Sequence, residues 1–211
     1  MALFRAIIIL VCLGLIEAKL LKLTCKEIHQ FVDGHNSRRL QVAKGELKDQ
    51  PAASEMKSVV WDKELATKAA RWASRNKFEH NPDKTIPSGR FKTGENLYLF
   101  STTGKGYVFN PNPSMVNWFE EHHQWTYNDL KTSDFRTPMP IGHYTQMVWS
   151  NSTYIGCGVS EFQQSNWIKY LVVCNYGPAG NIIGHTPYPA GRGTGQLTCG
   201  AKNCNRPYGG C

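Results

Sequence analysis

The chain carries at residues 142–149 the stretch GHYTQMVW, in which a histidine stands between a glycine and a tyrosine. Residues 144–149, 154–160 and 167–174 are short runs rich in β-branched and aromatic residues, and turn-forming residues separate them. This composition predicts three antiparallel strands and places His143 at the entry to the first. The last third of the chain is therefore predicted to form a sheet.

Earlier parts of the chain have a different pattern. Residues 26–44 place apolar groups at close to helical spacing, and Asp62 can cap a second helix. Asn112 followed by Pro113 predicts a third helix that runs to about His123, because proline is favoured at the first helical position. Helices early and strands late indicate a single α+β domain.

The N-terminus has the pattern of a secretory signal peptide. Arg5 precedes an apolar run over residues 6–16, and Ala18 offers a small residue for cleavage. The run is shorter than the roughly 20 residues that a membrane span requires. We therefore expect residues 1–18 to be removed, leaving a mature chain from about Lys19 that is secreted, extracellular, monomeric and not membrane-spanning.

The cysteines predict disulfide bonds. Cys12 lies in the predicted leader, and the other six are Cys25, Cys157, Cys174, Cys199, Cys204 and Cys211. An even number of cysteines in an oxidising compartment can pair completely. Position favours a bond between Cys157 and Cys174, because the two lie on strands predicted to be neighbours. The remaining four would tie Cys25 to the Gly- and Pro-rich tail and close the tail on itself, in a pairing that the sequence leaves open.

The chain has a formal net charge of +8. A basic secreted protein can meet an acidic polysaccharide, an anionic lipid or an acidic protein surface, although a basic balance also serves solubility alone. The lysines and arginines are scattered without a run of five, which argues against nucleic acid as a partner. Asn151 begins an Asn-Ser-Thr sequon, which predicts an N-glycosylation site whose occupancy the sequence leaves open.

The chain lacks the common enzyme signatures. It has no Gly-x-Ser-x-Gly elbow, His-Glu-x-x-His, P-loop or dinucleotide fingerprint. What remains is a set of histidines and glutamates beside aromatic residues and glycines, namely His80, Glu95, Glu121 and His143. Imidazole and carboxylate suit zinc and similar divalent ions. Spacing alone does not bring the four together, and without further information it favours separate residues that cap turns.

Four stretches together resemble the CAP superfamily (cysteine-rich secretory proteins, antigen 5 and pathogenesis-related 1), and above all its arthropod antigen 5 or venom-allergen branch. GHYTQMVW at 142–149 and LVVCNYGPAGN at 171–181 match the two family signatures. HNSRR at 35–39 resembles the family's helix motif, and GENLY at 94–98 resembles its GEN segment. They occur in the family's order and cover roughly residues 26–183.

The resemblance implies a three-layer α-β-α sandwich with a central antiparallel sheet over residues 19–183, followed by a Gly/Pro/Cys-rich extension over 184–211. It also implies a Cys157–Cys174 bond and one open cleft for a divalent cation, zinc first, lined by His80, Glu95, Glu121 and His143. Glu121 is assigned by its place after Trp118, and the neighbouring Glu120 could take that role. Structural roles are implied for His35, Asn36, Arg38, Asn96, Tyr176 and Asn181. His35 has a competing claim as a ligand.

For function, the resemblance favours a secreted binding protein of salivary or venom type that acts on an extracellular protein or lipid target. It would hold a divalent cation in the cleft and a small lipid or sterol in a channel or beneath a loop at residues 98–109, although 98–100 also read as core strand residues. The alternative is a protein-interaction or channel-modulating effector that uses loops 45–58 and 101–113, with the cleft only as scaffold. A protease ranks lower, because no serine stands in a nucleophile setting.

Overall fold

The computed structural model describes residues 19–104 and 106–211, so the predicted signal peptide and Cys12 lie outside the described residues. The helices are α1 (Cys25–Lys44), α2 (Lys63–Ala73), α3 (Asn112–Glu120) and α4 (Gly142–Met147). The strands are β1 (Lys19–Leu21), β2 (Val60–Trp61), β3 (Gly94–Thr102), β4 (Tyr154–Gln164) and β5 (Trp167–Gly177). Short 3₁₀ helices cover Glu121–Gln124 and Thr132–Phe135.

The strands form one sheet in the order β1-β4-β5-β3, with β2 beside β4. All neighbours are antiparallel except β2, which runs parallel to β4. The register places Glu95 of β3 opposite Asn175 of β5, and Cys157 of β4 opposite Cys174 of β5. The start of β3 therefore lies beside the end of β5, and this corner of the sheet borders the candidate site.

Helix α2 covers one face of the sheet, and the core on the other face takes side chains from α1, α3 and α4. Gly156 and Gly158 of β4 let α2 approach closely, because a Cβ at either position would overlap the α2 backbone. This arrangement confirms the predicted three-layer α-β-α sandwich. No helix within the described part of the chain is both long and apolar enough to cross a bilayer.

The prediction of a strand at residues 144–149 is wrong, because residues 142–147 form the short helix α4. Its first turn is capped from outside by Glu121, whose Oε2 accepts the N–H groups of His143 and Tyr144 at 2.9 and 3.0 Å. Strand preference depends strongly on context, and a carboxylate that satisfies free helical N–H groups favours the helix instead.

The third predicted helix is shorter than expected. Helix α3 ends at Glu120, and the chain continues as a 3₁₀ helix that begins at Glu121. Pro111 rather than Asn112 occupies the cap position, without a side-chain hydrogen bond. The helix type thus changes at the residue that caps α4.

Within the described residues, three disulfide bonds join Cys25 to Cys211, Cys157 to Cys174 and Cys199 to Cys204. The tail packs against the segment between α1 and β2, where Ala190 bridges Ala53 and Thr198 bridges Lys57. Tyr188 inserts its ring into the core on the α1 side. The tail is therefore held by backbone pairing and a buried aromatic ring as well as by cysteines.

Candidate metal-binding cleft

One side of the cleft is formed by a loop and the first residues of β3. His80 lies in the loop after α2, and its Nδ1 is 2.9 Å from Oε1 of Glu95. The Glu95 carboxylate also accepts the backbone N–H of Asn81 at 2.9 Å and Nδ2 of Asn175 at 3.0 Å. Burial raises the pKa of Glu95, but the hydrogen bonds from His80, Asn81 and Asn175 outweigh it and leave the pKa below its ordinary value. The Glu95 side chain is only 2% exposed, so Glu95 is a buried carboxylate whose charged form is stabilised by its hydrogen-bond donors.

The other side is formed by the 3₁₀ helix after α3 and the start of α4. Oε1 of Glu121 is 2.5 Å from Nδ1 of His143, and Trp118 stacks on the His143 ring at 6.1 Å between centroids. The neighbouring Glu120 is exposed and lies 3.3 Å from Nε2 of His123, away from the cleft. Glu121 rather than Glu120 is therefore the carboxylate on this side.

The two His–Glu pairs have the same internal arrangement. Each carboxylate meets Nδ1 of its histidine, so Nε2 is the ring nitrogen without a hydrogen bond in the described residues. His80, Glu95 and His143 line one cavity of about 210 Å³, while Glu121 lies behind His143. The cavity adjoins a wider cleft of about 780 Å³ that shares His80 and Glu95 and also contains Lys84.

The four predicted ligands therefore do not form one four-ligand shell. Within residues 19–104 and 106–211, no group of three or more His, Cys, Asp or Glu side chains is placed to hold a metal ion. The donor set nevertheless suits a site with two imidazoles. A histidine that binds a metal through one nitrogen usually donates its other N–H to a carboxylate, which fixes the tautomer and the ring orientation. His80 and His143 both have such a carboxylate, and Nε2 is the nitrogen left for a metal.

A buried polar chain supports the His143 side. Nδ2 of Asn96 donates to the His143 carbonyl at 3.0 Å and to the Tyr176 hydroxyl at 3.1 Å. The Tyr176 hydroxyl lies 2.9 Å from Nε2 of His35, and Nδ1 of His35 lies 2.7 Å from the Phe31 carbonyl. Complete burial lowers the pKa of His35 to about 3. His35 is therefore neutral, and both of its nitrogens are occupied inside the core.

The remaining motif residues have local contacts. The Asn36 amide exchanges two hydrogen bonds with the backbone of Val59, and Arg38 donates to the Gly34 carbonyl at 2.9 Å. Asn181 donates to the Gly142 carbonyl at 2.8 Å and so fastens the chain after β5 to the start of α4.

Arg39 is a site-supporting residue that the sequence analysis missed. Its guanidinium is fully buried and donates to the carbonyls of Met147, Trp149 and Lys57 at 2.8, 2.9 and 2.7 Å. Burial lowers the pKa of Arg39 to about 9. Two of the three carbonyls lie at the end of α4 and just beyond it, so Arg39 anchors the segment that Glu121 caps at its start. The adjacent Arg38 is half-buried, and helical spacing is the signal that separates the two. Arg39 lies four positions after His35 and three before Val42, on the buried side of α1.

The aromatic loop suggested for lipid is partly a strand. Residues 98–102 belong to β3, which confirms the reading of residues 98–100 as strand residues. Tyr107 lies 4.9 Å from Phe100 and 5.2 Å from Tyr170 between ring centroids, so the loop folds back onto the sheet.

The sequon residue Asn151 is exposed, and its Oδ1 accepts from Lys57 at 2.6 Å.

Comparison with protein families gives one match. The model of the cysteine-rich secretory protein family, CAP, matches residues 32–176. Venom allergen 3 of Solenopsis invicta is 39% identical over 173 residues, which cover 78% of this chain and 73% of that protein. Venom allergen 5 of Rhynchium brunneum is 37% identical over 171 residues, with 78% and 73% covered.

Solved structures show the same likeness. The crystal structure of NaASP2 with Zn²⁺ matches with a TM-score of 0.63 and 32% identity, over 79% of this chain and 86% of that one. Schistosoma mansoni venom allergen-like protein 4 matches with a TM-score of 0.60 and 29% identity, over 77% of this chain and 94% of that one.

Proposed function

The chain belongs to the cysteine-rich secretory protein family, CAP, and from that premise we propose that it is a secreted binding protein that holds a divalent cation between His80 and His143. Zinc is the first choice of metal, because neutral imidazole is one of its preferred ligands. In this proposal residues 19–183 form the binding domain and residues 184–211 an extension packed on it.

The observation that carries the proposal is the matched orientation of the two histidines. Glu95 and Glu121 each meet Nδ1, and His80 and His143 line the same small cavity. The similarity to NaASP2, whose crystal structure was determined with Zn²⁺, supports the choice of metal. Glu95 and Glu121 are accordingly proposed as orienting partners of the histidines and not as direct ligands.

A cation held by two protein ligands has coordination positions open to a partner. Zinc in such a site supplies a Lewis acid to an oxygen ligand. Glu95 and Glu121 orient the two imidazoles and accept their Nδ1 protons in hydrogen bonds. The open cleft lets a partner reach the cation. We propose recognition of an oxygen-bearing extracellular partner, with venom or saliva as the setting by analogy with the venom allergens. We further propose that Asn151, which is exposed, carries a glycan, as secretion would allow.

Isothermal titration of the purified secreted protein with zinc tests the proposal. We expect one zinc per wild-type chain, and affinity at least about 10-fold weaker for His80→Ala and for His143→Ala. Glu95→Gln and Glu121→Gln should weaken zinc binding about 10-fold or more, the usual cost of losing a partner that orients a ligand. His123→Ala is the matched control, because its ring is exposed and is not among the cavity-lining residues.

A stoichiometry of zero for the wild-type protein would contradict the proposal. Equal losses for His123→Ala and His143→Ala would contradict it too, since binding would then reflect surface histidines in general.

An interaction effector that uses the cleft as scaffold is the second candidate, and one observation favours it. Two of the eight large hydrophobic side chains exposed in the described residues line the cleft, namely Phe135 and Ile183. Exposed apolar patches mark interaction surfaces. If this candidate holds, Phe135→Ser together with Ile183→Ser will abolish target binding, while His80→Ala will leave it unchanged.

A further inference from the structure

Helix α2 and the turn after it concentrate positive charge that looks scattered along the sequence. Residues 63–77 hold five basic residues and one acidic residue, so this short segment carries a net charge of +4, half of the chain's formal +8. The buried side chains of α2 are Leu65, Ala69, Trp72 and Ala73. The opposite side of the helix and the following turn expose Arg71 and Arg75, whereas the side chain of Lys68 is only 9% exposed and binds Asp83.

A groove of about 650 Å³ runs along this helix, and it lies on the other side of segment 81–85 from the metal-binding cleft. Lys68, Arg71 and Arg75 line one wall, and residues 81–87 contribute to the other. Lys68 binds Asp83, so the free cations are Arg71 and Arg75, which we call the α2 basic face. Arg71 lies in the last turn of α2 and Arg75 just beyond its end, four positions later. Two neighbouring guanidinium groups suit a ligand with repeated anionic groups better than a single ion.

The acidic residues of the groove are already paired. Glu64 accepts Nη2 of Arg90 at 2.8 Å and the Ser88 hydroxyl at 2.7 Å. Hydrogen bonds from Arg90 and Ser88 lower the pKa of Glu64 to about 2, so it remains an ionised partner of Arg90. Asp83 lies 3.8 Å from Lys68. These pairs leave the guanidinium groups as the uncompensated charges of the groove.

Arg71 and Arg75 have no carboxylate within ion-pair distance in the part of the chain that the structure describes. The Arg75 guanidinium lies over the Trp72 ring at 4.5 Å from its centroid, and Trp72 also lines the groove. A planar guanidinium donates paired hydrogen bonds to the oxygens of sulfate, phosphate or carboxylate, and it is more weakly hydrated than an ammonium group. Two such groups one helical turn apart can bind successive anionic groups of one chain.

We propose that the α2 basic face binds a sulfated polysaccharide. Such a polymer offers repeated sulfate groups along an extended chain, which matches two neighbouring cations better than a point charge does. The hydroxyl and amide groups of Thr67 and Asn81 border the same groove and can contact sugar hydroxyls. This site shares no basic residue with the cleft of His80 and His143, so it does not depend on the proposed function.

The test is the affinity of the full secreted protein for a size-defined heparin oligosaccharide, measured by titration at several salt concentrations. We expect Arg71→Gln/Arg75→Gln to weaken binding about 10-fold or more and to reduce the salt dependence by about two ions, since each lost cation releases one counterion fewer. The control Arg192→Gln/Arg206→Gln removes the same charge from exposed positions in the tail and should change affinity less than about 2-fold. His80→Ala should bind as the wild type does.

Three results would overturn the proposal. Equal losses in the two double variants would show that only net charge matters. Failure of the folded wild-type protein to bind heparin at physiological salt would remove the site. Equal affinity for a single-stranded oligonucleotide of the same charge would show that the groove binds polyanions without regard to sulfated sugar.

Discussion

The two histidines of the cleft line one cavity, but the segments that carry them are held by different numbers of hydrogen bonds. His143 lies in a segment held at both ends, because Glu121 caps the start of α4 and Arg39 binds carbonyls at its end. His80 lies in a loop, and its ring is held in the described residues by Glu95 alone. The His80 side chain is 57% exposed and the His143 side chain 24%.

Metal binding and the stability of the fold should therefore depend differently on the two sides of the cleft. A metal needs both nitrogens, so the proposed function should depend equally on the two sides. The fold should depend mainly on the His143 side, where charged groups satisfy buried backbone. The comparison also shows that Glu121 has two tasks, because one carboxylate oxygen meets the imidazole and the other caps the helix.

Removing the Arg39 guanidinium should have the largest effect. Arg39→Met keeps most of the length of the side chain but removes three hydrogen bonds from a buried cation. The carbonyls of Met147 and Lys57 then have no donor in the described residues, while the Trp149 carbonyl still accepts the N–H of Ser152. We expect a loss of about 4 kcal/mol in the free energy of unfolding. Arg38→Met is the matched control and should cost less than about 1 kcal/mol, because the Arg38 guanidinium is half-buried and donates to one helical carbonyl. Urea unfolding measures both. Equal costs would remove the distinction between the anchored segment and an ordinary helix surface.

Removing the cap of α4 should come next. Glu121→Ala leaves the N–H groups of His143 and Tyr144 unpaired, at an expected cost of about 3 kcal/mol in the free energy of unfolding. Glu120→Ala should stay within about 0.5 kcal/mol, since that side chain is exposed. Amide hydrogen exchange of residues 143 and 144 reports the cap directly, and unchanged protection in Glu121→Ala would show that α4 forms without it.

The stability that the His80 side contributes should depend on pH. The pKa of Glu95 is lower in the folded protein than its ordinary value, so its ionised form contributes stability above about pH 4.3. That contribution is lost as the pH falls through the folded pKa. The stability difference between wild type and Glu95→Gln should therefore shrink on acidification, as urea unfolding between about pH 3 and pH 7 would show. A difference independent of pH would mean that the carboxylate contributes nothing as an anion.

The smallest effect on the fold belongs to His80. His80→Ala should change the free energy of unfolding by less than about 0.5 kcal/mol without metal, and His143→Ala by about 1 kcal/mol, because only His143 packs on Trp118. Both should abolish the rise in Tm that zinc produces in the wild type. Thermal unfolding with and without zinc measures both properties. A rise in Tm retained by His80→Ala would mean that His143 alone binds the metal.

Much of this architecture is predictable from sequence, since helices early, strands late and four motifs in order lead to the sandwich. The error at residues 144–149 has a physical cause. Their side chains favour a strand locally, but Glu121, more than 20 positions earlier, supplies the cap that makes a helix. No local pattern contains that contact.

The sequence motifs point to residues that border the candidate cleft but contain nothing of its geometry. Motifs identified His143 and Glu95, but only the fold shows that each carboxylate meets Nδ1 and that His35 is neutral in the core. Burial also separates Arg39 from Arg38, which are adjacent and identical in type. The concentration of positive charge on α2 is not visible as a run in the sequence. Its basic residues are never consecutive, and only the helical fold brings them together.

The bond between Cys25 and Cys211 turns residues 25–211 into a covalent ring. A protease that cuts one peptide bond anywhere inside that ring opens it but releases no fragment, because the two pieces stay joined through the sulfurs. A nicked molecule would keep its full mass until it is reduced. One cut inside the ring is then a change of connectivity and not a loss of material.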